Sequence, residues 1–304
     1  MRLFMPAVAT QIAARSAAQR VSGSFKTVKT AFERIDSEVR LFHYKVRNFQ
    51  PNVGFCFERG PYVIKTVENG AELEECLKLR FQVFHKEYMN KKRDYGVDLD
   101  RLDEICDHLM IYDKRRGKTI GTYRLNSSLF TDTFYSASEF SLDGLTQIPG
   151  NKLELGRACI SREYRTGAVI ALLWRGIAEY IRQTDSKIMF GCSSIKTISP
   201  MEIGLYYRYL RESGHVSDNL GVQPTRKYQV SQLSRVLQYL DSNPFEYIPA
   251  EIQARIPALF ASYLRMGAKL AGEPALDREF HCIDFLTVVK MDELNPSVRE
   301  KYGI

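Results

Sequence analysis

The chain has 304 residues and a mass of 35.0 kDa, with 44% hydrophobic and 26% charged residues and a net charge of +7. That balance excludes a disordered, fibrous or disulfide-scaffold protein and predicts one sizeable buried core with appendages. The six cysteines, Cys56, Cys76, Cys106, Cys159, Cys192 and Cys282, are scattered without C-x-x-C or His/Cys spacing. They read as small hydrophobes in a reducing compartment, with no disulfide framework and no metal site.

No run reaches the roughly 18 to 20 apolar residues that span a bilayer. Arg2 and the following LFMPAVATQIAARSAA faintly resemble a secretory leader, but Gln11 and Arg15 interrupt the apolar stretch, so a cytoplasmic protein is expected. Residues 1–50 hold nine Lys and Arg against three acids, and this excess of six nearly accounts for the net charge. The basic character therefore belongs to the N-terminus and suits an anionic surface or an acidic partner; nothing points to nucleic acid.

From Phe25 the apolar residues Phe25, Val28, Phe32, Ile35, Val39, Phe42, Val46 and Phe49 recur three and four apart, which predicts an amphipathic helical arm over residues 1–55. Such a narrow seam docks on its own domain, pairs with another copy, or lies peripherally on an anionic membrane. Asn48 to Pro61, with two Pro and two Gly, reads as a linker, so the main domain is placed at 56–304.

YVIKTV (62–67) predicts a strand and AELEECLKLRFQVFHKEYM (71–89) a helix, with Arg80 set among its apolar positions. NKKRDYGVDLDRLDEICD (90–107) has no periodicity and carries Asp94, Asp98, Asp100, Asp103 and Asp107. It reads as a mobile loop, either simply solvated or a lid whose carboxylates meet a cationic small molecule. HLMIYD and KTIGTYRL form a β-hairpin around RRG, and FYSASEFSLDGL (134–145) an aromatic-led loop entering a short helix.

KLELGRACI (152–160) alternates like a buried strand yet contains Glu154, Gly156 and Arg157. Charges in a core strand are costly. A bulge at Gly156 would turn both toward one cleft, since an isolated strand Gly often marks one; the alternative is a charge pair at a sheet edge. SREYRTG leads into a helix through AVIALLWRGIAEYIRQTD, and its first free N–H groups with Arg162 and Arg165 could hold a phosphate. Beyond it, residues 199–214 and 256–270 predict helices and 281–291 a strand; 215–250 is weakly patterned. Asp284 is either a substrate carboxylate or a partner for an Arg.

The order β, α, β, β, (α), β, α, β, α resembles the GCN5-related N-acyltransferase (GNAT) fold, an α/β (α+β) class with a mixed, mainly antiparallel sheet flanked by helices. The runs LKLRFQVFHKEY, DEICDHLMIYD, GTYRLNSS, YSASEF, LELGRACI, YRTG, LLWRGIAEYI and FGCSS, with IPALFASYLRMGAKLAGEPALDREFHCIDFLTVV (256–289), resemble the bacterial ornithine-lipid N-acyltransferases over residues 62–303. A weaker similarity to acyl-homoserine-lactone synthases selects Arg80 with Phe84, Asp100 with Asp103, Arg124, and Glu154 with Arg157.

The resemblance implies transfer of a (3-hydroxy) fatty acyl group to the α-amino group of an amino acid, ornithine above all, with no bound cofactor. Coenzyme A enzymes of the fold carry R-x-x-G-x-G/A at the turn; YRTGAVI is one residue short, which suits the single phosphate of acyl carrier protein. Glu154 is then the expected base. Ala158, Cys159 and Ile160 would polarise the thioester, with Arg162, Arg165, Thr166, Gly167 and Ala168 on the donor arm. Arg80, Phe84, Arg124 and Arg157 would face the acceptor or order the lid, with Asp100 and Asp103 as counter-charges. A different amino acid acceptor, a diffusible N-acyl or lactone product, and an inert membrane-associated interaction protein are the competing readings.

Overall fold

A computed structural model describes residues 45–90, 96–243 and 247–304. The chain divides into two units, Met1–Phe49 and Gln50–Ile304. The predicted arm lies outside the described residues apart from its C-terminal end, and so does Asp94.

The second unit is built on one ten-stranded sheet. Its strands are β1 (Cys56–Arg59), β2 (Tyr62–Thr66), β3 (Asp107–Asp113), β4 (Lys118–Ser127), β5 (Asn151–Ile160), β6 (Ser186–Ile195), β7 (Val216–Ser217), β8 (Lys269–Ala271), β9 (Ala275–Asp277) and β10 (Cys282–Lys290). They lie in the order β1-β2-β3-β4-β5-β6-β10-β8-β7, with β9 also paired to β10. Pairing is antiparallel except for β5 with β6 and β8 with β7. The mixed, mainly antiparallel sheet flanked by helices is the expected class. One part of the reading is corrected: β1 occupies the stretch taken for linker, because Gly60 at φ +59° makes the tight turn that returns it along β2.

Helix α1 (Gly70–Arg80) starts at Asn69, whose side chain accepts from the Ala71 and Glu72 N–H groups. It continues as a π-helical stretch, Phe81–Tyr88, rather than as the single regular helix predicted. Helix α2 (Gly167–Thr184) buries Leu173, Trp174, Ile177 and Ile181 against Ile64, Leu109, Ile111 and Leu125. Each such side chain contributes about 1.5–3 kcal/mol of burial. Alternation sends Leu109 and Ile111 to this core and leaves His108 and Met110 on the other face.

In the C-terminal third the predicted helix at 199–214 is α3 (Pro200–Glu212). Residues 215–250 hold α4 (Leu233–Ser242) and the start of α5 (Pro249–Ala254), which their weak patterning hid. Helix α6 (Ala258–Arg265) is shorter than predicted, since Gly267 at φ +103° turns the chain into β8. A final helix, α7 (Pro296–Tyr302), closes the chain. No helix among the described residues is long and apolar enough to cross a membrane.

Helix α2 packs tightly on the sheet at Gly176, where an added Cβ would sit 2.5 Å from Leu109 Cδ1 and 3.1 Å from Ile64 Cγ2. Both neighbours are fully buried. Gly176→Val is therefore expected to lower stability by about 1–3 kcal/mol, through overpacking. Urea unfolding followed by circular dichroism measures it; an unchanged midpoint would show that the helix can lift off at no cost.

Candidate active site

The site begins with a fork in the sheet. β5 pairs with β6 only from Asn151↔Ser186 to Glu154↔Phe190. Beyond that, β5 stays with β4 to Gly121↔Ile160 while β6 stays with β10 to Ile283↔Ile195. At the root of the fork the backbones nearly touch, for a Cβ on Gly191 would lie 2.2 Å from the Leu155 carbonyl oxygen.

β5 also bulges. The pairs Thr122↔Cys159 and Arg124↔Gly156 enclose one residue of β4 and two of β5, Arg157 and Ala158. The irregularity was predicted at Gly156, which instead stays in register; Arg157 carries the positive φ, +51°. A non-glycine residue held there costs about 1–3 kcal/mol, so the surrounding contacts must impose it. The extra residue brings Glu154 and Arg157 to one cavity, although strict alternation would part them.

That cavity, of about 240 Å³, is lined by Glu154, Gly156, Arg157 and Ala158 of β5, by Arg124, Phe84 and Tyr135, and by Asp277, Phe280 and Asp284 on the far side. A second cavity of about 630 Å³ is lined by Ala158, Cys159, Ile160, Arg162 and Arg165, with Val83 and Glu87 of the π-helical stretch. The two share Tyr88, Tyr123, Ala158 and Leu259 and so adjoin along those residues. Thr166, Gly167 and Ala168 are exposed at the start of α2 and line neither. Arg165 is drawn to Glu87, at 2.7 Å, and to the Ile160 carbonyl.

Arg80, Asp100 and Asp103 line neither cavity either. They belong to a buried ion network behind the smaller one. Arg80 donates from Nε to Asp98 at 2.8 Å and through both terminal nitrogens to Asp103 at 2.6 and 3.0 Å. Arg124 donates to both Asp100 oxygens at 2.7 Å and to Asp103 at 3.2 Å, and Arg157 reaches Asp100 at 3.0 Å. Asp100 and Asp103 further cap a short 3₁₀ helix, Arg101–Glu104.

The described part of the predicted mobile loop, residues 96–106, is thus anchored, with Asp98 and Asp103 buried. Burial opposes charge on Asp98, Asp100 and Asp103, but the facing guanidiniums outweigh it and hold all three below the usual carboxylate range. Burial pushes His108, beside them, down to about 4, so it is neutral.

Glu154 is 3% exposed and well occupied. It accepts from the Tyr135 N–H at 2.8 Å, the Ser136 N–H at 2.7 Å and Asn126 Nδ2 at 3.2 Å. It thereby holds the loop whose Tyr135 ring faces the Arg157 guanidinium at 5.2 Å. Cys159 is buried and its thiol is pushed up by that burial, so it stays protonated at neutral pH.

Several site residues escaped the sequence reading. Tyr88 and Tyr123 stand where the cavities meet, and the Tyr88 hydroxyl is buried with no hydrogen-bond partner among the described residues. Their only sequence cue was helix or strand periodicity, which also describes core tyrosines. Asp277, Cys282 and Asp284 each place a ligand-type atom within 4.8 Å of the others.

The fork lies within residues 79–175 and their sheet partners, and a family profile described as an acetyltransferase (GNAT) domain matches that segment, which places the chain among the GNAT-class acyl-group transferases. The L-ornithine N(alpha)-acyltransferase of Rhizobium meliloti is 31% identical over 79% of this chain and 83% of that protein; the Brucella abortus protein of the same name is 29% identical over 80% and 89%. The chain belongs to the L-ornithine N(alpha)-acyltransferase family and is an N-acyltransferase. Among solved structures, the acyl-homoserine-lactone synthase LasI aligns over 80% of this chain and 95% of its own, at 14% identity and a TM-score of 0.43.

Breaking the network should expose its cost. Asp103→Ala leaves Arg80 buried without its bidentate partner and is expected to destabilise by about 3–5 kcal/mol. Because the folded pKa values of Asp98, Asp100 and Asp103 are depressed, their contribution is complete above the usual carboxylate range and is lost as pH falls below it. Hydrogen exchange at residues 96–106 should therefore accelerate in acid earlier than in β3 and β4, and equal acceleration would contradict the assignment.

Proposed function

We propose that this enzyme transfers a (3-hydroxy) fatty acyl group from acyl carrier protein to the α-amino group of ornithine, giving a lyso-ornithine lipid. The observation that carries the reading is the pair of cavities that adjoin at Ala158. The larger one follows the freed edge of β5 and suits a thioester arm; the smaller, with Glu154, Arg124, Arg157, Asp277 and Asp284 on its walls, suits an amino acid. The names of the Rhizobium and Brucella relatives support ornithine as the acceptor.

The reaction needs a free amine, a polarised carbonyl and a proton for the leaving thiolate. A carboxylate offers about four acceptor positions. Glu154 spends three of them on the loop, and in this reading the fourth takes a water that relays the proton from the substrate ammonium. Backbone N–H groups from Ala158 to Ile160 that face the fork, freed of ladder partners, polarise the thioester. Arg157 holds the acceptor carboxylate. Burial pushes the Tyr88 hydroxyl up, which suits it to deliver the proton to the departing sulfur. A thiol that keeps its proton disfavours a covalent route through Cys159.

Arg162, exposed beside the donor cavity, and Arg175 on α2 would meet the acidic carrier protein, and the short turn before α2 suits one phosphate rather than a pyrophosphate. The basic arm would keep the enzyme at the inner membrane surface, where its amphiphilic product partitions.

Expression in a heterologous host followed by lipid extraction and mass spectrometry is expected to reveal an N-acylated ornithine; an unchanged lipid profile from folded enzyme supplied with ornithine would reject the reading. With purified acyl carrier protein, Glu154→Gln and Tyr88→Phe should each lower kcat by about 10²-fold or more, as general acid–base groups do. Cys159→Ala should retain most activity, and its loss would restore the covalent route.

A further inference from the structure

The smaller cavity has two walls of opposite character. On one side stands the Arg157 guanidinium, ringed by Tyr135, Phe280 and Phe84 at 5.2, 5.6 and 5.9 Å. On the other stand Asp277 and Asp284, with Glu139 buried behind them. β9 and β10 bring the two aspartates together, since Asp277 lies opposite Cys282 and Asp284 is two residues further along the same face.

These acids differ from those in the ion network in lacking a cation. Among the described residues no Lys, Arg or His forms an ion pair with Glu139, Asp277 or Asp284, whereas Asp98, Asp100 and Asp103 each face at least one Arg. Asp277 Oδ1 accepts from the Glu279 and Phe280 N–H groups, and Asp284 accepts from Ser194 Oγ. Glu139 is 1% exposed; among the described residues its Oε1 has no hydrogen-bond partner, its Oε2 accepts from the Cys192 thiol at 3.9 Å, and the Tyr135 hydroxyl and the Asp284 carboxyl, another acid, face it. Burial and then the neighbouring acids push Glu139 up to about 9; burial, with Asp277, pushes Asp284 up to about 6. Glu139 thus keeps its proton at neutral pH, and Asp284 ionises less readily than a free aspartate until a cation faces it.

We infer that Asp277 and Asp284, backed by Glu139, form the subsite for the side-chain ammonium of the acceptor, so that the cavity selects an α-amino acid with a cationic tail. The acceptor then lies with its α-carboxylate at Arg157 and its tail toward β9 and β10, which leaves the α-amino group near Glu154 and the Ala158 junction. A buried carboxylate left without its ammonium costs more than a solvated one, so an acceptor with an uncharged tail forfeits binding energy rather than merely failing to gain it.

This inference rests on the proposed amino acid acylation, and the test separates the two. Wild-type enzyme would be assayed with acyl carrier protein thioester against ornithine, lysine and norvaline, the last having ornithine's three-carbon chain without the amine. Ornithine is expected to exceed norvaline by at least about 100-fold in kcat/KM, the scale of a lost charged contact. Asp284→Asn and Asp277→Asn should raise KM for ornithine at least tenfold with a smaller effect on kcat, and should narrow the ornithine-to-norvaline ratio. Glu139→Gln, which keeps size and polarity, should narrow it less and serves if an aspartate variant fails to fold. An undiminished ratio in folded variants, or activity abolished by EDTA and restored by zinc, would overturn the subsite. No turnover of any amino acid by wild type would instead overturn the proposed function.

Discussion

Everything at this site follows from the decision of β5 and β6 to part after four pairs. Two adjacent strands that separate inside a sheet leave N–H and C=O groups without partners, and a buried unpaired group costs about 1–3 kcal/mol. Aromatic side chains stand at the fork. Tyr263 of α6 lines a small cavity with Leu155 of β5 and Gly191 to Ser193 of β6, edge-on to Trp174 of α2 at 5.8 Å and hydrogen-bonded through its hydroxyl to Tyr123 of β4. The freed edge faces cavities rather than packed side chains, so solvent or substrate can satisfy it. A sheet that closed here would be more stable and would have no place for a thioester.

The electrostatics divide along the same line. In front of the fork three arginines meet three aspartates, and charge is largely cancelled within the protein; the result is a fixed wall. Across the smaller cavity Asp277 and Asp284, with Glu139 beside them, are gathered with no cation among the described residues. Buried ion networks of the first kind add little net stability but specify one geometry, whereas a buried like-charge cluster is a standing cost unless something arrives to relieve it. Arg157 belongs to both regions, since it contacts Asp100 with one nitrogen and leaves its face to the cavity.

How far the sequence revealed this depended on whether a residue broke a local rule. Glu154 and Arg157 were legible because they interrupt an apolar strand, and Arg80 because it sits in an apolar helix stripe. The bulge was displaced by one residue because the rule that a strand glycine marks it rests on a missing Cβ, while here a Cβ at Gly156 would meet Arg124 only at an ordinary 3.9 Å. Residues 96–106 read as a free loop because the guanidiniums that anchor them are 18 to 57 positions away. Glu139 and Asp277 broke nothing. Glu139 is an acid in a polar loop and Asp277 one of several charges in GEPALDREF, and only the return of β9 along β10 and the approach of the 134–139 loop bring them together.

The arrangement couples two residues that a list of roles would treat separately. Glu154 holds the Tyr135 and Ser136 backbone, and the Tyr135 ring lies against the guanidiniums of both Arg157 and Arg124, at 5.2 and 5.7 Å. Arg157 keeps an unfavourable φ only while such contacts outweigh its strain. Removing the Glu154 carboxylate would therefore free the loop, and with it the Arg157 guanidinium at the cavity wall. Under the proposed roles the proton acceptor and the acceptor's anchor are parts of one structure, so a change at Glu154 would register in substrate binding as well as in the chemical step. A glutamine there keeps one oxygen as an acceptor but presents a donor where the second N–H now points. For that reason the β5 carboxylate is a structural requirement of the site, whatever share of the proton transfer it carries.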